Sequence, residues 1–136
     1  MLNSEIEAEI NRLQKQLKDY KSKKKKAENE QDELEDIIGK IRAKACEIED
    51  GLQETVNNIE KKLKRINQKS RFKTRYLGNA KNMLLNSDSS TALRGTRDAE
   101  RKATNKYYAL DDKISGYRTK ISSIESQINA LRQQLN

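Results

Sequence analysis

The chain is 136 residues long, 37% charged, 33% hydrophobic and 4% aromatic, with no proline, tryptophan or histidine and a net charge of +8. A compact globule needs closer to half its residues apolar, whereas long helices and coiled coils are rich in Ala, Glu, Lys, Leu and Arg. Without histidine and with only Cys46 there is no Ser-His-Asp or Cys-His arrangement, no zinc-ligand spacing and no intrachain disulfide.

No apolar run approaches the roughly 18 residues of a membrane span. The N-terminus also lacks the basic-then-apolar pattern of a general secretory signal peptide. The charge is uneven. Residues 1–50 carry 11 basic and 13 acidic side chains, residues 51–85 carry nine and two, and residues 86–136 carry nine and six. The basic excess therefore lies in one block, Lys61 to Lys81.

The first predicted helix begins at Asn3 or Ser4, either of which can cap it. Glu5, Glu7 and Glu9 fall in its first turns, where the positive end of the helix dipole favours them. Apolar residues then recur in steps of three and four through Ile6, Ile10, Leu13, Leu17, Tyr20, Ala27, Leu34, Ile38, Ile41, Ala45, Ile48 and Leu52. That is the seam of a coiled-coil helix. Only Lys24 and Gln31 interrupt it, and polar seam residues exchange stability for register. The run Lys21–Lys26 reads as a solvated segment facing the acidic run Glu28–Asp36 rather than a nucleic-acid patch. Cys46 reads as a small residue flanking the seam.

At Gly51 the phase slips by one step of four, then resumes through Val56, Ile59, Leu63, Ile66, Ser70, Lys73, Leu77, Ala80 and Leu84. A stutter of this kind unwinds a supercoil locally without breaking the helix. Asp50-Gly51 would also suit a turn. The continuous reading gives a long first helix over about 3–85.

Asn86-Ser87-Asp88-Ser89-Ser90-Thr91 is the strongest punctuation, six small polar residues that suit a loop. It is expected to extend over 86–95. The second helix then covers about 96–135, with its own seam at Ala103, Tyr107, Leu110, Ile114, Tyr117, Ile121, Ile124, Ile128, Leu131 and Leu135. No segment alternates with the period of a strand. The expected fold is all-α, an elongated antiparallel helical hairpin or coiled coil forming one domain over 1–136.

A last helix of about 40 residues spans roughly 60 Å. Folded back at 86–95, it covers only Asp50 to Leu85 and leaves Ile6–Ile48 without cover from its own chain. Either Gly51 is a turn and a three-helix bundle closes that seam, or a second chain does. The second chain is the expectation, and Ile6, Ile10, Leu13, Leu17, Leu34, Ile38, Ile41 and Ile48 become the partner-binding seam.

Three further features stand out. The basic block with Phe72 and Tyr76 interleaved suits an acidic protein, a membrane surface or, less well, a phosphate backbone. Leu93-Arg94-Gly95 follows the polar run. Tyr108 and Asp112, four residues apart, share one helix face. A helical hairpin of this size, an x-G tripeptide after the turn and a Y-x-x-x-D on the following helix resemble the WXG superfamily of type VII secretion substrates. Leu93 stands where that family has tryptophan. The long polar first helix and Lys120–Leu131 look like the small helical partner proteins of LXG toxins in Gram-positive bacteria.

The resemblance implies a non-enzymatic targeting factor or chaperone that binds the helical LXG domain of a toxin. It would reside in the bacterial cytoplasm or be co-exported by a type VII system. Leu93 and Gly95 would form the turn motif, and Tyr108 and Asp112 an export signal. No catalytic, cofactor-binding or metal site is expected. The alternatives are a structural homo-oligomeric coiled coil and, third, a basic nucleic-acid-binding coiled coil.

Overall fold

A computed structural model describes residues 2–65 and 70–135. Among them every regular element is helical: α1 spans Asn3–Arg65, α2 Ser70–Leu85 and α3 Asp88–Gln134. The long helices α1 and α3 pack together. No helix among the described residues is long and apolar enough to cross a membrane.

The start of α1 is closed by Glu5, not by the serine or asparagine expected as its cap. The Leu2 carbonyl accepts the first backbone bonds, from Glu5 N–H and Ile6 N–H, both at 3.0 Å. The Glu5 carboxylate reaches back to accept the Leu2 N–H at 3.2 Å. This is the returning half of a capping box, and it satisfies a donor that a helix start leaves open. From there α1 passes through Gly39 and Gly51 unbroken. Its apolar stripe continues across the phase slip, as a stutter allows.

The expected loop over 86–95 is a correction. Only Asn86 and Ser87 separate α2 from α3. Ser87 serves both helices: its Oγ donates to the Leu84 carbonyl at 2.6 Å and accepts the Ser90 N–H at 3.2 Å. The remaining small polar residues lie inside α3. Thr91 and Thr96 hydroxyls donate to the carbonyls four residues back, Ser87 and Ala92. Residues that prefer turns thus supply caps and back-bonds in a two-residue joint.

The chain has already turned back before this joint, and the single helix over 3–85 is corrected with it. Lys81 and Leu84 of α2 share a groove with Leu52, Gln53 and Val56 of α1. From Leu52 to the end of α1 is about 20 Å, and from Ser70 to Leu84 about 21 Å. Leu84 can reach Leu52 only if α2 returns alongside α1. The four residues between these helices, which contain neither glycine nor proline, lie outside the described set.

Backbone contacts group the chain into two units, Met1–Glu35 with Asn105–Asn136, and Asp36–Thr104. In the first, Ile6, Ile10 and Leu13 of α1 form a buried cluster with Ile124 and Ile128 of α3, flanked by Leu17, Tyr20, Leu131 and Leu135. A second cluster joins Ala27 to Leu110 and Ile114, with Leu34 and Tyr117 against it. As numbers rise along α1 they fall along α3, so the two helices run in opposite directions here. In the second unit, Ile38 and Ala45 are buried. Arg42 pairs with Glu100 at 3.2 Å and Glu49 with Arg97 at 2.6 Å, which sets α3 beside this part of α1.

Candidate functional site

The seam assigned to a partner is covered by its own chain. Ile6, Ile10 and Leu13 face Ile124 and Ile128, Leu17 packs on that cluster, and Leu34 packs on Ala27, Leu110 and Ile114. Ile38 is buried, and Ile41 and Ile48 are half-buried beside the α1–α3 ion pairs. The expectation that Ile6–Ile48 has nothing of its own chain against it is overturned. The physical reason is the reversal before α2. With α2 alongside the Leu52–Val56 stretch, all of α3 remains for the rest of α1.

Both polar interruptions of the seam find partners in the first unit. Gln31 Nε2 donates to Asp111 Oδ1 at 3.1 Å and to the Tyr107 carbonyl at 3.5 Å, fixing one register of α1 against α3. Lys24 pairs with Glu28 at 3.3 Å. Its neighbours do not meet the acidic run: Lys23 pairs back to Asp19, and Lys21 crosses to Glu125. Tyr20 lies 6.2 Å from Tyr117 between centroids, with the Lys120 ammonium 5.0 Å from its ring. These exposed ion pairs contribute little stability individually. They constrain register more than they add to it.

Tyr107 sits on the seam. Burial, with the carboxylates of Glu35 and Asp111 nearby, pushes its phenol above the ordinary tyrosine range. Tyr108 stands on the other side, 61% exposed, its ring edge-on to Tyr107 at 5.7 Å. Asp112 is exposed too. The structure therefore places Tyr108 and Asp112 on one accessible helix face, with the Tyr107 ring against Tyr108.

Leu93 and Gly95 are not at a turn. Both lie within α3, Leu93 half-buried and Gly95 exposed. Gly95 has an ordinary helical φ, and a Cβ built there meets nothing within 4 Å. Neither a left-handed backbone nor a close approach requires glycine at this position. Cys46 is free and exposed. Among the described residues no three His, Cys, Asp or Glu side chains converge as metal ligands would.

What sequence reading missed is a groove in the second unit. It is a cleft of about 620 Å³ bounded by Leu52, Gln53 and Val56 of α1, Lys81 and Leu84 of α2, and Ser90 at the start of α3. Leu52, Val56 and Leu84 are only half-buried. Their burial equals that of Ile41 and Ile48, and what sets the place apart is the cleft between the helices. Glu49 and Asp50 on one rim and Lys81 on the other give it both signs of charge. Its one signal in the sequence was the stutter, which displaces the stripe after Gly51. Comparison with known protein families, characterised proteins and solved structures gives no match.

Proposed function

We propose that this chain is a non-enzymatic helical-hairpin partner protein whose groove between α1 and α2 receives a helix of another protein. Following the resemblance of its sequence, that protein is the helical LXG domain of a toxin bound for type VII secretion. The chain then acts as a targeting factor or chaperone in the bacterial cytoplasm, or travels with its cargo. The observation that carries the reading is the open groove at Leu52, Val56 and Leu84. A helix laid into it continues the packing that α3 provides elsewhere, with apolar anchors at i, i+3 and i+4. Tyr108 and Asp112, accessible on one face, are available for recognition by the secretion machinery.

The test is co-expression of the full chain with the N-terminal helical domain of an LXG toxin. Capture of a stable one-to-one complex is expected, with loss of capture by Val56→Asp and Leu84→Asp at unchanged helical content. A chain that stays monomeric and ignores every such domain would sink the reading.

A second copy of the chain is the alternative occupant, giving a structural homo-oligomer. The opposite charges on the two rims favour it, because a two-fold interface must be self-complementary. Sedimentation equilibrium separates the two: concentration-dependent dimers that dissociate in Val56→Asp select the second copy.

A further inference from the structure

We infer that the ends of α1 and α2 carry a docking surface for an anionic phospholipid bilayer, separate from the groove that takes a protein helix. From Lys61 to Ser87 the sequence contains nine basic residues and no carboxylate. Lys61, Lys62, Lys64 and Arg65 on α1 and Arg75 on α2 are exposed. At 100° per residue, Lys61 and Arg65 fall opposite Val56 and Ile59, with Lys62 and Lys64 on the two flanks. The basic face is therefore centred on the side of α1 away from the groove.

Six of the eleven basic residues before Gly51 are paired. Arg12, Lys21, Lys23, Lys24, Arg42 and Lys44 each hold a carboxylate. Among the described residues none of the five on the basic face forms an ion pair. Five unpaired cations form a field that an anionic surface neutralises. What selects a bilayer over a nucleic acid is the exposed apolar surface of α2. Met83 is 75% exposed and Tyr76 50%, and the two share one face of the helix that carries Arg75. A thioether chain has no ring to stack on a base and forms no hydrogen bond to match a phosphate. Beside lysines at a headgroup layer it can enter the acyl boundary, and a tyrosine ring suits that interface.

The experiment uses the full chain with vesicles of phosphatidylglycerol mixed with phosphatidylcholine, and with vesicles of phosphatidylcholine alone. Binding to the anionic vesicles at low ionic strength, weakened by added salt, is expected. Each lysine near an anionic surface contributes about a fivefold factor. The triple variant Lys61→Gln/Lys62→Gln/Lys64→Gln should therefore partition roughly 100-fold less well. Met83→Ser should weaken binding in salt more than the charge variant does, with the far-ultraviolet helical signal unchanged in both. No binding to anionic vesicles, equal binding to neutral ones, or an unaffected triple variant would overturn the inference. So would salt-sensitive binding of duplex DNA by a chain that ignores vesicles, which would assign the face to nucleic acid. Each of these outcomes leaves capture of a toxin domain by the groove untouched.

Discussion

Replacing Ile6 by alanine is the sharpest probe of how α1 and α3 are paired. Ile6 is 2% exposed and packs with Ile10, Leu13, Ile124 and Ile128. The change removes three methyl or methylene groups from a dry cluster, about 2.4 kcal/mol at roughly 0.8 kcal/mol per group. A cavity in a thick core would raise this toward about 5 kcal/mol. Here only two helices enclose the site, so solvent and neighbouring side chains can fill the space, and the lower figure applies. Because the cluster joins the start of one helix to the end of another, the loss should appear as local opening more than as a global shift. Amide hydrogen exchange over residues 121–131 should accelerate by roughly 60-fold in Ile6→Ala. Leu2→Ala, at a residue 69% exposed, should leave the same amides within about 0.5 kcal/mol of the parent. If α3 instead lay on Asp50–Leu84, Ile6→Ala would not touch its exchange. Unchanged protection over 121–131 would refute the pairing.

The other expectations concern smaller features. Gly95→Ala should raise the melting temperature, by about 1 kcal/mol of helix propensity, since the position is helical and open; a fall would mean that the glycine sits at a turn after all. Ser87→Ala removes the cap of α3 and should cost about 1 kcal/mol, read as faster exchange at the Ser90 and Thr91 amides. Glu9 should titrate below an ordinary glutamate, because Arg12 donates hydrogen bonds to its carboxylate. That contribution is present above the unfolded-state value and is lost as pH falls through the lower folded one. Carboxyl-carbon NMR titration should find Glu9 back in the ordinary range in Arg12→Gln, and a Glu9 that titrates normally in the parent chain would remove the pair.

The face each helix buries could be read directly from the sequence. Every described seam position from Ile6 to Leu52, and from Ala103 to Leu135, is buried or half-buried, Lys24 and Gln31 included. Periodicity encodes this because a stripe must be covered whatever covers it. Which stripe covers which was not legible. Heptads are nearly interchangeable, so the pairing rested on where the chain reverses, and that was placed at the polar run 86–91. Serine, threonine and asparagine are chosen by loops and by helix caps for the same hydrogen-bonding reason. Ser87 with two partners makes a joint where six such residues suggested a reversal. Moving the reversal turned the proposed partner seam into core. It also turned the Leu93–Gly95 motif into ordinary helix, and left open a groove that no single stretch of sequence contains.

The cluster around Ile6 has a consequence for synthesis. Ile6 is made 118 residues before Ile124, one of the two isoleucines that cover it. Translation at about 5–20 residues per second separates Ile6 from Ile124 by roughly 6–24 s. Throughout that interval Ile6, Ile10 and Leu13 lack the isoleucines that cover them in the folded chain. By contrast, Leu84 reaches Val56 after only 28 further residues, and closing that shorter loop costs about 1.3 kcal/mol less than closing Ile128 onto Ile6. The helices nearest the reversal can therefore join first and close toward the ends of the chain. A nascent chain offers its N-terminal stripe to any neighbouring apolar helix before its own can arrive.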